Sequence, residues 1–407
     1  MTRSLRTPVL LAAGSVVSGL LAYLLFALVT RGLGATVAAP VSVLWTIWAL
    51  AGAAFSFPLQ HWITRCVVAG EEGDVRRSAG RVAALVVVVA LALGLLAWVA
   101  RSRLFHRDDA WFPALVVLVV LGSAAVGVLR GGLAGRGRMA AVAGTLVAEN
   151  ALRCVLVGGL LLAGVHDPVA HGLCLVAGSL VAAWPPAWRY GDTGAGQSRP
   201  LAFLGGAATG QLAGQGVLTG GAVLVALLGG TPAEVTAMFA ALALFRAPYM
   251  VVLGVLPQVT QVVTGHVVAG AGEALRRLGR AWLASTVVVV PLAVLVGALA
   301  GPALLRAVFG STVEVSTTTA ALVAAGCALA LVNVVAMVAA LAQDRAAGVA
   351  AAWGTALLLG AVTVVVLSGS AAVERAATAF LVTEAAATVA LAAVAAAALR
   401  TRPGLPA

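Results

Sequence analysis

The sequence predicts an all-α polytopic membrane protein, with twelve transmembrane helices in two six-helix lobes related by a parallel pseudo-twofold repeat. Three observations predict it. The composition is too poor in charge to face water, twelve apolar runs have spanning length, and one short phrase recurs two hundred residues later.

Composition comes first. The chain has 407 residues, 62% of them hydrophobic and 10% charged, with a mean hydropathy of +1.08. Soluble domains carry about 25% charged residues, so this surface must face lipid. The net charge is +11, and all 25 basic residues are Arg. A basic balance raises the question of nucleic acid. Here the arginines stand between long apolar runs, which is the placement that sets membrane topology, so nucleic acid is not an expected partner. Cys66, Cys154, Cys174 and Cys327 lie in or near apolar runs without a CxxC. The five histidines are scattered, and neither set has the spacing of a metal site. No metal or cofactor is expected.

The spans follow. A crossing helix needs ~20 mostly apolar residues. Twelve runs qualify, at about 8–30, 42–66, 82–100, 112–130, 140–164, 170–188, 202–229, 235–262, 281–303, 318–341, 346–367 and 376–399. Pro58 interrupts the second and Pro185-Pro186 the sixth. The basic start MTRSLR resembles a signal peptide, but run 8–30 is long for one and is expected to be the first membrane helix. With the N-terminus in the cytoplasm, 17 arginines (Arg130 among them) fall inside and six outside, while Arg153 and Arg246 lie within spans. That bias places both termini on the cytoplasmic side of the inner membrane. Every loop is short, which weighs against a membrane-embedded enzyme that needs an external catalytic domain.

The repeat fixes the plan. VVAGEEGDVRR at 67–77 returns as VVAGAGEALRR at 267–277, and LGATVA at 33–38 returns as LGGTPA at 228–233. GRGRMAAVAG at 135–144 and QDRAAGVAAA at 343–352 share a fainter likeness. Each pair occupies the same loop of a six-helix set. The chain therefore divides into lobes at 1–198 and 199–407, joined by the polar stretch RYGDTGAGQSRP. Six is even, so both lobes enter the membrane the same way, as in transporters whose halves rock about a midplane site. The repeated basic phrase then anchors topology; its sharper readings are an inner gate or a grip on anionic lipid headgroups. Two lobes in one chain need no partner, so a monomer is expected.

Three segments carry a family likeness: RGLGATVAAPVSVLWTIWAL, VLRGGLAGRGRMAAVAGTLVAENALR, and the stretch from MFAALALFRAPYMVVLGVLPQVTQ to VFGST, with Pro257 late in the eighth run and Phe309-Gly310 after the ninth. In these the chain resembles the polysaccharide and lipid-linked oligosaccharide flippases, within the superfamily that also holds multidrug and toxin extruders. The resemblance implies that a lipid-linked glycan moves between leaflets by alternating access.

Charges inside spans are the first candidates for its chemistry, because each costs about 2.5–3.5 kcal/mol at a helix centre. Arg246, with no acid within a turn, suits a headgroup phosphate that it can grip with a bidentate fork. Otherwise it pairs with an acid on another helix. Glu149 and Arg153 share a helix face at i, i+4. They read either as a neutralising pair, or as an acid coupling H+ or Na+ beside a second headgroup arginine. Gln211, Gln215 and Thr219 form a polar stripe on the seventh run; with Ser15, Ser18 and Asn333 they either line a cavity or bond helices together. Glu384 is isolated and reads as an interfacial residue. No GxxxxGK[ST] or catalytic constellation is present, so no enzymatic activity is expected.

Three other readings remain open. A multidrug or organic-cation antiporter of the same superfamily calls for acids in its cavity, and the first and seventh runs carry none. A major-facilitator transporter shares the 6+6 repeat, but its second-to-third loop usually reads GxxxDRxGRR, whereas this one reads GEEGDVRRSAGR. A scaffold retaining the fold without transport is the third.

Overall fold

The computed structural model describes residues 2–183, 188–191, 214–343 and 345–400. Among these residues every regular element is helical. The helices are α1 (Thr2–Ala51), α2 (Phe57–Val68), α3 (Glu72–Val99), α4 (Arg101–Leu104), α5 (Trp111–Gly135), α6 (Met139–Leu162), α7 (Pro168–Ala177), α8 (Gly221–Leu227), α9 (Pro232–Phe245), α10 (Ala247–Val268), α11 (Gly272–Phe309), α12 (Thr317–Ala342), α13 (Ala346–Val366) and α14 (Ala372–Arg400). They follow the twelve expected runs in order, the seventh being described from residue 214. Long apolar side chains face outward on α3 (Val88, Leu91, Leu95) and α11 (Val288, Leu292, Leu299). In water such surfaces would be unfavourable by ~25 cal/mol per Å²; against acyl chains they carry no such cost. The chain is an all-α, multi-pass membrane protein.

Of the described residues, one compact unit comprises those within Met1–Leu227, Thr231–Thr236 and Phe309–Thr312. The other comprises Leu228–Gly230, Ala237–Val308 and those of Val313–Ala407.

In the first unit α1 carries the first expected run and the start of the second, separated by Gly34 at φ 75°, ψ 160°, a conformation essentially reserved for glycine. Just before Pro58 the helix widens to a π turn over Gly52–Ser56. The proline has no N–H to continue the ladder, and the Ser56 hydroxyl donates to the Ser123 carbonyl at 2.6 Å. Along α5, Gly127, Gly131 and Gly135 recur every four residues and meet α2 and the turn before it. A Cβ on them would lie 2.7 Å from the Ser56 carbonyl oxygen, 2.8 Å from Ile63 Cβ and 2.5 Å from Val67 Cβ. This is the small-residue packing that lets membrane helices approach closely. In the second unit Gly297 and Gly301 of α11 do the same against Ala320 and Ala324 of α12.

The recurring phrases adopt recurring conformations. Gly70 closes α2 at φ 71° and Gly270 closes α10 at φ 65°. Around the first, Gly70 N–H donates to Val67 and Glu71 N–H to Cys66; around the second, Gly270 donates to Val267 and Ala271 to His266. Both are Schellman caps, which need a left-handed residue after the helix. The other repeated glycines, Gly34 and Gly229, have φ of 75° and 83°.

Three placements differ from expectation. Arg130 lies inside α5 and is buried, because α5 runs five residues past the apolar run that suggested its end. Arg246 caps α10 at its break from α9 rather than sitting mid-helix. Glu384 is 1% exposed, not interfacial. Pro185-Pro186 lie outside the described residues.

Candidate functional site

Among the described residues each unit buries one glutamate in its helices, and the two are held differently. In the first unit Glu149 of α6 accepts from Arg130 Nη2 of α5 at 2.6 Å and from Arg153 Nη2 at 2.7 Å. Arg153 is 0% exposed. Its Nη1 donates to Asn150 Oδ1 at 3.0 Å and its Nε to the Leu175 carbonyl of α7 at 2.8 Å. Its guanidinium lies 4.4 Å from the Trp48 ring centre, within cation–π range. Gly178 makes the space: a Cβ there would sit 2.2 Å from Arg153 Nε. Asn150 passes the network on, donating to the carbonyl and hydroxyl of Ser18 at 3.2 and 2.9 Å. One cluster thus ties α1, α5, α6 and α7. Of the sequence candidates it brings together Glu149, Arg153 and Ser18, and it adds Arg130. Every nitrogen of the Arg153 guanidinium is engaged by protein, so the arrangement is the neutralising one and leaves no fork for a phosphate. Both oxygens of Glu149 likewise rest on guanidinium groups.

In the second unit Glu384 of α14 has no cation at hydrogen-bond distance among the described residues. Asn333 Nδ2 of α12 donates to Glu384 Oε2 at 2.8 Å and to its backbone carbonyl at 3.0 Å. Glu384 Oε1 and Asn333 Oδ1 are buried without a hydrogen-bond partner among the described residues. Unpaired buried acceptors are costly, and an isolated charge more so. This is the one place among the described residues where a buried carboxyl can gain or lose a proton without first breaking an ion pair. Cys327 of α12 lies within electrostatic reach of both Glu384 and Arg246, and Tyr249 within that of Glu384. Arg246, half-buried, lies 5.9 Å from the Phe239 ring centre. Glu384 is thus bonded to Asn333 and within electrostatic reach of Tyr249 and Cys327, in an otherwise apolar helix packing.

The remaining candidates do not join either cluster. Ser15 is exposed. Thr219 donates to the Gln215 carbonyl at 2.6 Å, a bond within its own helix. Gln211 lies outside the described residues. Sequence reasoning missed the Asn333–Glu384 pair and the role of Arg130. The usable signal was an acid inside an apolar run, which needs a partner from a distant segment.

No family model matches the chain, and no curated protein does. Solved structures do. A multidrug resistance MATE family transporter of the MOP superfamily, in its inward-facing conformation, superposes with a TM-score of 0.69 at 15% identity, covering 95% of this chain and 96% of that one. The fold is that of the MATE transporters. The eukaryotic MATE transporter AtDTX14 gives a TM-score of 0.60 at 13% identity, over 98% and 96% of the two chains. A MATE in the straight conformation gives 0.52 at 14% identity, over 97% and 94%. The MATE fold thus spans nearly the whole chain, although few side chains are shared.

Proposed function

We propose that the protein is an exporter that moves an amphipathic organic solute across the cytoplasmic membrane by alternating access, driven through Glu384. The observation that carries the export reading is the MATE fold over 95% of the chain, in structures described as multidrug resistance transporters. The orientation with both termini in the cytoplasm, and two six-helix lobes meeting at 198/199, belong to the same proposal.

The two buried glutamates differ in what holds them. Glu149 is held by two guanidinium groups, and both of its oxygens are engaged. Glu384 faces an amide. Gain or loss of one proton or Na+ at Glu384 changes the buried charge of its unit, and buried charge is what a membrane protein cannot leave uncompensated. A ligand or ion that binds one conformation better than the other shifts the population by that difference. The coupling candidate is thus Glu384 rather than Glu149.

The second reading is the flippase of a lipid-linked, anionic glycan. Arg246 and the sequence resemblance favour it. Arg153 no longer does, since its donors are occupied. One comparison separates the two. Cells deleted for the gene are tested for sensitivity to cationic dyes and drugs, and their lipids are extracted. Drug sensitivity without lipid change supports the exporter; a retained lipid-linked oligosaccharide with unchanged sensitivity overturns it in favour of the flippase.

A further inference from the structure

A separate feature of the first unit concerns the surrounding lipid. A cavity of about 620 Å³ lies between α2, α3 and α5, within the ~300–1,000 Å³ of ordinary ligand sites. Its walls are almost wholly apolar, with Ile63, Val82, Val86 and Leu121 among them. The lining also includes Arg76, Arg189 and Tyr190, and among the described residues no acidic one lines it. Arg76 belongs to the first copy of the repeated basic phrase, and both arginines are exposed. The indole N–H of Trp62, a lining residue 2% exposed, has no hydrogen-bond partner among the described residues.

An apolar chamber with two guanidinium groups in its lining matches an amphiphile that is greasy at one end and anionic at the other. Guanidinium is the group best suited to a phosphate. Other ligands fit less well. A free phosphate would use the arginines and leave the chamber without purpose. An organic cation would meet two like charges. A peptide would find no backbone partners along walls of valine, leucine and alanine. The outward residues of α3 beyond the cavity are apolar and exposed, Val88, Leu91 and Leu95 among them, so acyl chains are the surrounding medium.

We infer that this cavity is a binding site for an anionic glycerophospholipid of the adjacent leaflet, with one acyl chain in the chamber and its phosphate on Arg76 and Arg189. The lipid is a resident ligand and not cargo, so the inference stands independently of what the protein exports. It also gives the repeated phrase a second task in its first copy: Arg76 holds a headgroup as well as marking topology.

The test is native mass spectrometry of the full chain, purified from membranes and then exchanged into vesicles of phosphatidylglycerol and phosphatidylethanolamine. The wild type is expected to retain one phosphatidylglycerol in preference to phosphatidylethanolamine. Arg76→Gln with Arg189→Gln is expected to weaken that retention about thirtyfold, the size of two arginine contacts at an anionic surface. Ala83→Trp is the second variant. Ala83 lines the cavity and is exposed, so the indole fills the chamber without disturbing the core, and it is expected to expel the lipid with both arginines intact. Equal retention of the two lipids overturns the inference, as does retention unmoved by either variant. Recovery of a lipid-linked glycan in place of phosphatidylglycerol also overturns it, because the site would then hold cargo.

Discussion

At the residue scale the two buried glutamates make opposite demands. Arg153 is worth more as a partner than as a charge, because its planar fork serves three acceptors on two helices at once. Arg153→Met leaves Glu149 Oε1 buried without its partner, and breaking a buried pair in this way costs about 3–5 kcal/mol. Thermal unfolding in detergent should show the loss, and Arg153→Lys should not restore it, since one ammonium cannot span the same acceptors. A melting temperature that survives Arg153→Met removes the cluster from the folding argument. Glu384 should behave the other way. Glu384→Gln is isosteric and keeps an oxygen to accept from Asn333, so the protein should accumulate normally. It cannot exchange a proton, so dye efflux driven by an imposed pH gradient should fall to background, whereas Glu149→Gln should lower protein level first. Gradient-driven efflux that persists in Glu384→Gln moves the coupling elsewhere.

At the element scale the packing is written in small residues at helical spacing. Gly131→Val places branched carbons where Ile63 Cβ and the Gln60 carbonyl already stand. Overpacking of this kind costs about 1–3 kcal/mol, and it should lower the melting temperature. Gly158→Ala is the control. Nothing lies within 4 Å of its Cβ position, and replacing a mid-helix glycine gains roughly 0.5–1 kcal/mol. Equal effects of the two would mean that the stripe is not an interface. Much of this level was legible in advance. Among the described residues the helices follow the apolar runs, because length and hydropathy largely decide what crosses a bilayer. The repeated phrases located two equivalent caps, because Gly70 and Gly270 are the left-handed residues that a Schellman turn requires. Spacing could not place Arg130, since a helix in a membrane protein ends where its cap forms and not where its apolar run stops. Nor could it pair Asn333 with Glu384, 51 residues apart: periodicity reports neighbours on one helix and is silent about contacts between helices.

At the scale of the whole molecule, a fold held at 15% identity separates what the architecture needs from what the cargo needs. Glycine contacts, caps and outward apolar faces are satisfied by many sequences, so their agreement speaks for the machine and not for the solute. The solute must be read from the polar groups within the spans, and Arg246 is the leading one. Its role is where the two functional readings part. If the cargo carries an anionic headgroup, Arg246 supplies binding energy and Arg246→Ala should abolish its export at normal protein level. Arg246→Lys should restore part of it, because a point charge still attracts a phosphate although it cannot fork. If the cargo is an organic cation, the same arginine opposes it, so Arg246→Ala should leave efflux intact or raise it. Measuring dye efflux and surface glycan in one set of Arg246 variants therefore assigns the cargo's charge. We expect efflux to survive Arg246→Ala; a loss of surface glycan with unchanged efflux would return the protein to the flippases.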